Sequence, residues 1–410
     1  MLSWVLIESW AEVAARWLHV VTAIAWIGSS FYFIALDLGL RKPAGLPQGV
    51  GGEEWQVHGG GFYHIQKYMV APPGMPDDLI WFKWESYATW LSGFSLLVLV
   101  YYLGGDLYLV DPNIADIPVW GAVLISLGSL GFGWLAYDRI CKSKFGEDNT
   151  KLMIGLYVIL VLIAIFYVNV FSGRAAMLHL GAFTATIMSA NVFMIIIPNQ
   201  KIVVADLQAG RVPDAKYGKI AKQRSTHNNY LTLPVLFMML SNHYPLVFAS
   251  QFNWLIAALV FLMGVTIRHF FNTMHAKGGM LWWTWGLTVA LFLAIMALSL
   301  APLSVRGGSY ETSLDDLSGP AAVYAQADGF DDVTGIVMGR CSMCHSEDPG
   351  WDGIHWPPKG VRLDTEPAIA THARDIFMQA GVSHAMPPAN VSWMEPEERA
   401  VIVAWYLGAR

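Results

Sequence analysis

Inside a bilayer the backbone has no water to bond to, so a chain with long apolar runs is confined to a few architectures. Eight such runs lie near residues 14–36, 84–103, 118–137, 152–171, 176–197, 229–247, 251–271 and 281–302. Each approaches the roughly 20 residues a helix needs to cross the hydrocarbon core. The sixth is the weakest, because Pro234 interrupts it and "SNHYP" cuts it short. The first is too long for a signal-peptide core and lacks a small-residue cleavage site, so it reads as a retained span. Charged residues make up only 14% of the chain, against roughly 25% in an average soluble domain. The apolar character stops near residue 305, and the remainder carries an ordinary mix of charges. The expected fold is therefore all-α. An eight-helix transmembrane bundle occupies 1–305, a linker 306–322, and a small polar domain 323–410.

Basic residues test this count, because cytoplasmic loops carry an excess of Lys and Arg. The connection after the first run holds Arg41, Lys42, Lys67 and Lys83, and the one after the third holds Arg139, Lys142, Lys144 and Lys151. The fifth is followed by Lys201, Arg211, Lys216, Lys219, Lys222 and Arg224, and the seventh by Lys277, with Arg268 near the end of that run. The alternate connections are nearly bare; Arg174 is the exception. This alternation fits eight spans with both termini outside. The net charge of -6 gives no reason to expect a nucleic-acid partner. Two connections are more than simple loops. Residues 39–83 are long and aromatic-rich, which points to function rather than disorder, and residues 198–228 are expected to include a short amphipathic segment.

The polar tail contains "CSMCH", Cys341 to His345. Two thiols on one turn can add across the vinyl groups of a haem, and the adjacent imidazole can ligate the iron. A zinc site would want a second ligand pair, and the one other cysteine, Cys141, is far away in a basic loop with no assigned role. One covalent haem c is therefore expected on Cys341 and Cys344, with His345 as an iron ligand. The sixth ligand comes from Met378, Met386, Met394, His355, His372 or His384. Met386 is preferred, because the prolines of "HAMPPAN" hold the chain extended behind its sulfur and Met ligation raises the potential. A closing helix is expected over 395–410, and this order of attachment motif, methionine loop and final helix resembles that of small class I cytochromes c. Such haem is attached outside the cytoplasmic membrane, in agreement with the basic-loop pattern. The localisation expected is a bacterial inner membrane, with both termini and the cytochrome domain in the periplasm.

Ionisable residues in or beside spans are functional candidates. His19, His179 and His243 fall toward the outer face and are candidate ligands for a haem b. His58, His64, His227, His269 and His275 fall toward the inner face, with room for a second haem, a metal or a substrate. Carbonyl-bonded interfacial histidines are the plain alternative. "RSTHNNYLTLP" places Thr226, His227, Asn228 and Asn229 at the mouth of the sixth run, where amides suit a planar heterocycle; helix capping by Thr226 or Asn228 is the alternative. Glu85 is a candidate base, stabilised by Lys83 or Lys67.

Five segments together carry a family resemblance: "WLHVVTAIAWIGSSFY" (17–32), "WQVHGGGFYHIQKY" (55–68), "WFKWESYATWLSGF" (81–94), "HNNYLTLPVLFMMLSNHYP" (227–245) and "CSMCH". The chain resembles the bacterial membrane-bound urate oxidases, in which an eight-helix membrane domain is fused to a cytochrome c domain. The resemblance implies oxidation of urate to 5-hydroxyisourate, with electrons leaving through cytochrome c instead of forming hydrogen peroxide. A downstream cytochrome c or terminal oxidase would then be the partner. On the residues alone, an inner-face urate site is expected, with Lys67, Arg224, Thr226, Asn228 and Asn229 binding and His64, His227 and Glu85 as catalytic candidates. Electrons would then cross about 30 Å of hydrocarbon, which calls for one or two haem b groups. A quinol:cytochrome c electron-transfer subunit without purine chemistry is the alternative.

Overall fold

A computed structural model describes residues 4–72, 74–76, 78–112, 114–300, 313–352, 354 and 356–409. His355 and linker residues 306–312 lie outside the described residues. The chain is mostly helical, with 70% helix and 5% strand. It divides into two compact units, one drawn mainly from residues up to 300 and the other mainly from residues after 312.

The first unit contains α1 (Trp4–Gly39), α2 (Trp84–Leu96), α3 (Val119–Cys141), α4 (Asn149–Val168), α5 (Gly173–Ala190), α6 (Ile197–Gln208), α7 (Ala215–Ser241), α8 (Asn253–His275) and α9 (Trp282–Leu300). α2 runs on into a wide π-type turn, Leu97–Tyr102, and a second such turn, Asn191–Ile196, fuses α5 and α6 into one rod. Among the described residues, six helical rods are long and apolar enough to cross a membrane, which is compatible with a multi-pass membrane protein. The expected runs at 84–103 and 229–247 are helical through Tyr102 and Ser241 but are not among those six. α7 differs most from expectation. Asp214 caps its start by accepting from the Lys216 N–H at 2.9 Å, so the helix begins well before residue 229 and ends at Ser241. The polar residues 215–228 are therefore its first half, not a connection.

α5 lies at the centre and packs on α3, α4 and α7. Its buried face carries Met177, Leu180, Phe183 and Ile187. α1, α3 and α9 instead present Trp17, Ile24, Phe132, Leu135, Phe292 and Leu293 outward. Exposed apolar surface on this scale suits lipid better than water. Small residues let helices approach where side chains alone would hold them apart. Gly264 of α8 faces the ring of Pro234 in α7, where the proline interrupts the helical hydrogen bonds.

Strand is the departure from the all-α expectation. β1 (Val50–His58) and β2 (Gly61–Tyr68) form an antiparallel hairpin with Trp55 opposite His64. Gly59 and Gly60 form its two-residue turn with φ of 61° and 80°, the left-handed pair that such hairpins require.

The second unit contains α10 (Gly319–Ala325), α11 (Phe330–Arg340), α12 (Ser342–His345), α13 (Glu366–Thr371), α14 (Ala373–Ile376) and α15 (Pro396–Gly408). α15 starts with a reciprocal cap between Glu395 and Glu398. Its Tyr406 stacks between Tyr324 and Phe377, at centroid distances of 4.9 and 4.3 Å. Arg340 and Glu398 pair at 2.9 Å and tie α11 to α15.

A side chain at Gly264 would meet Pro234, whereas one at Gly286 in α9 meets nothing within 4 Å. Gly264→Val should cost about 1–3 kcal/mol through overpacking and lower the thermal midpoint in detergent, with Gly286→Val unchanged. Equal midpoints for the two variants would contradict the α7–α8 packing described above.

Candidate functional site

Helical spacing sorts the polar stretch of α7 into two faces. Arg224, His227 and Asn228 stand at i, i+3 and i+4 and share one face, while Asn229 points about 100° round the helix. All four are buried.

On the first face, Arg224 donates from Nη2 to Asp138 Oδ1 at 2.8 Å and from Nη1 to Asn191 Oδ1 at 3.2 Å. Its guanidinium lies over the Tyr137 ring, 4.8 Å from the centroid. Arginine can only donate, so Asn191 must turn its oxygen toward Arg224 and its amide nitrogen away. That nitrogen donates to Asn228 Oδ1 at 3.0 Å and to the Tyr137 hydroxyl at 3.2 Å. Tyr137 already accepts there, so its own proton goes to His227 Nδ1, 2.7 Å away. His227 then carries its hydrogen on Nε2, which is buried without a partner among the described residues. Asn191 is the first residue of the π-type turn, an irregularity often found at functional sites.

On the second face, Asn229 Oδ1 accepts from Arg268 Nε at 3.3 Å and from Asn272 Nδ2 at 2.9 Å, and Arg268 Nη2 donates to Asn272 Oδ1 at 3.0 Å. Arg268 stacks on Phe31 of α1 at 4.0 Å. Beside it, the Tyr230 hydroxyl and His269 Nδ1 are 3.2 Å apart.

The other inner-face candidates sit apart from this network. His64 pairs with Glu53 at 2.7 Å and stacks on Trp55 at 4.2 Å, and Lys67 pairs with Asp37 at 2.6 Å. The polar partners of both lie on the hairpin and α1. The hydrogen bond from His64 holds the Glu53 carboxyl below its ordinary pKa. Thr226 bonds back to the Lys222 carbonyl at 2.9 Å, and because α7 starts at Ala215, neither Thr226 nor Asn228 caps it. Lys67 being committed to Asp37 and Lys83 lying over the Trp84 ring, Glu85 lacks the expected lysine partner. Its Oε2 is buried and unpartnered among the described residues.

The outer trio separates. His19 of α1 bonds through Nδ1 to the Thr89 carbonyl at 2.9 Å, against Gly93 of α2. His179 of α5 is fully buried, bonds through Nδ1 to the Ala175 carbonyl at 2.8 Å, and leaves Nε2 without a partner among the described residues. Tyr101, Tyr167 and Phe171 surround its ring. His243 is exposed, beyond the end of α7.

In the second unit, Cys341 at the start of α12 and Cys344 and His345 within it share one turn, with the Cys344 and His345 N–H groups both reaching the Cys341 carbonyl. Burial pushes the Cys341 thiol up to about 12 and holds the His345 imidazole below its usual value, so His345 is neutral at pH 7. Its Nδ1 donates to the Val361 carbonyl at 2.8 Å, which leaves the Nε2 lone pair for a metal. The residues present thus fit a covalently held haem. Arg399 of α15 fixes the methionine loop by donating to the carbonyls of Ala380 and Met386, at 2.5 and 2.9 Å. Met386 is half-buried and followed by the extended Pro387, while Met394 is a core residue, 2% exposed.

The family model described as urate oxidase N-terminal matches residues 5–299. The chain belongs to the urate oxidase N-terminal family. That membership makes it an oxidoreductase acting on urate, and it covers the whole buried network from Phe31 to Asn272. No curated protein and no solved structure matches the chain.

Sequence reading missed Tyr137, Asp138, Asn191, Arg268 and Asn272. Tyr137, Asn191 and Arg268 are polar residues inside expected apolar runs, a signal that had been applied to the histidines, and Asp138 and Asn272 stand one residue beyond the ends of two such runs.

Arg224 is 1% exposed and Asp138 is the one carboxylate that meets it among the described residues. Removing one member of a buried pair costs about 3–5 kcal/mol, because the other charge stays behind. Asp138→Asn should therefore lower the thermal midpoint sharply in detergent, and adding Arg224→Met to it should restore much of the loss. Additive losses would show that the two charges do not act as a pair.

Proposed function

We propose that the chain oxidises urate to 5-hydroxyisourate in its first unit and passes the electrons out through a haem c carried by the second, without making hydrogen peroxide. The observation that carries this reading is the match to the urate oxidase family over residues 5–299, joined to a tail whose His345 keeps Nε2 free beside two thiols.

The chemistry sets what the site must do. The urate anion gives up two electrons and one proton, and water adds at C5 to yield neutral 5-hydroxyisourate. The protein must hold a planar anion, take a proton and provide a route for two single electrons. His227, with its hydrogen on Nε2, is a fixed donor on the first face of α7, turned away from the second face where Asn229 and Arg268 stand. Asn228 and Asn191 hold that imidazole in place through Tyr137. Arg224 positions this face rather than meeting the substrate charge, since Asp138 already offsets it. Glu85 has a free buried oxygen and is assigned proton acceptance, while His64 is committed to Glu53.

A haem, when bound, supplies the one-electron acceptance that no side chain here offers. Cys341 and Cys344 would hold haem c, with His345 and Met386 as the iron ligands. An inner-face urate site leaves about 30 Å of hydrocarbon to cross. We assign that crossing to a haem b. His19 and His179 stand on separate helices and are its candidate ligands, each with Nδ1 fixed on a backbone carbonyl and His179 with Nε2 unpartnered among the described residues. The setting would be the bacterial inner membrane, with the haem c unit and both termini periplasmic and a downstream cytochrome c or terminal oxidase as acceptor.

Anaerobic addition of urate to the purified full chain should raise the reduced-haem bands within the turnover time. Reduction by a quinol but not by urate would replace this reading with a quinol:cytochrome c role. A pyridine haemochrome spectrum should show b-type haem beside c-type; c-type alone would remove His19 and His179 from the electron route. Glu85→Gln should cut the rate of urate-driven reduction by about 10²–10⁴-fold while urate still binds, and an unchanged rate would exclude Glu85 as the proton acceptor.

A further inference from the structure

Two arginines are buried in the first unit, and they are not equivalent. Arg224 has Asp138. Arg268 is 6% exposed and makes no ion pair with any described residue. Its partners are two neutral amides and a phenyl ring. Burying a guanidinium without a counter-charge is costly, and an amide or methionine could join α1, α7 and α8 without that cost. Asn229 adds a second anomaly. It is 0% exposed, and with its oxygen taken by Arg268 and Asn272, its Nδ2 has no partner among the described residues.

These groups share one level of the bundle. Arg268 stacks on Phe31 of α1, and Phe33, two residues on, meets Phe82 just before α2 at 4.7 Å. Ser86 of α2 bonds Ser189 of α5 at 3.1 Å. The neighbouring Met188 carbonyl accepts from Asn228 of α7 at 2.9 Å, and the next residue, Asn229, returns to Arg268. The contacts close through five helices within about one turn of each. Glu85, adjacent to Ser86, lies at the same level with its buried Oε2 unpaired. A cation and a carboxylate thus lie unpaired at the same level of one bundle.

We infer that Arg268 is the group that recognises the negative charge of the substrate, with Asn229 Nδ2 as a second donor, so that a purine anion is the counter-charge this guanidinium lacks. The inference rests on the urate reading of the preceding subsection and deepens it. The chemical class is a planar, singly charged heterocycle that presents adjacent acceptors to a guanidinium and an amide. A neutral purine fills the same outline but leaves Arg268 uncompensated, so charge is the basis of selection. Arg268 would bind and orient substrate and take no part in the proton transfer.

The test is equilibrium dialysis of labelled urate against the full-length protein in detergent, kept anaerobic and dithionite-reduced so that no turnover occurs. Hypoxanthine serves as the neutral competitor. Wild type should prefer urate. Asn272→Asp keeps an acceptor for Arg268 at the same position and supplies the missing charge, so its urate dissociation constant should rise at least about 30-fold while that for hypoxanthine stays within about threefold. Arg268→Lys, which keeps the charge but loses the planar fork, should bind urate more weakly than wild type and still prefer it to hypoxanthine. Unchanged urate affinity in Asn272→Asp overturns the inference, as does parallel loss of both purines, which marks a packing role. An Arg268→Lys variant without urate preference also overturns it. Wild type that binds no urate at all sinks the urate reading itself, a result distinct from each of these.

Discussion

The contact between Arg224 and Asp138 sets the polarity of everything around it. A guanidinium has no acceptor to offer, so its second bond forces Asn191 to face it with oxygen. The amide nitrogen of Asn191 is thereby sent to Asn228 and Tyr137, and the Tyr137 hydroxyl gives its proton to His227, 2.7 Å away. The hydrogen-bond direction across three helical rods follows from one charge. Replacing that arginine by a neutral residue of similar size would leave the side chains in place and make the order of donors ambiguous. A free imidazole could then present either a hydrogen or a lone pair from Nε2, and the two do opposite chemistry.

The coarse fold was legible because the bilayer constraint acts on long stretches. Apolar runs of about 20 residues survive local exceptions, and the helices over 119–141, 149–168, 253–275 and 282–300 all fall on expected runs. Two features were not read. The hairpin over Val50–Tyr68 was signalled by Gly59 and Gly60 between aromatic and β-branched residues, but its strands are only partly buried and carry no clean apolar–polar alternation. The first half of α7 is polar, so hydropathy alone could not show that the helix extends to Ala215. Its amphipathic face is matched to buried polar groups instead of to lipid, and that match exists only after α3, α5 and α8 have come together.

The same limit governed the candidate site. Arg224, His227, Asn228 and Asn229 stand together in the sequence, and burial keeps all four inside the bundle. Their partners Asp138, Asn191, Arg268 and Asn272 come from three other helices, and no local spacing relates them. Asn191 and Arg268 were visible singly as polar residues in an apolar run, and Asp138 and Asn272 at the end of one. What could not be read was which arginine had an acid beside it. Lys67, by contrast, looked like a substrate cation from sequence because it lies in a basic, aromatic-rich connection on the inner side, yet its charge is taken by Asp37 of α1.

Compensation, more than the number of basic groups, decides what a buried cation can do. Arg224 has a direct counter-charge in Asp138, a carboxylate that also meets Lys142 at 2.6 Å, and its value lies in geometry. Arg268, held by neutral amides and a ring, keeps its full field. An apo protein of this kind carries a standing electrostatic cost that binding of an anion removes, so affinity and charge selection come from one feature. Oxidation then reverses the balance. Two electrons and a proton leave, the bound species becomes neutral, and the guanidinium is uncompensated again. Product release and readiness for the next anion are thus the same electrostatic state, which a pre-paired arginine could not provide.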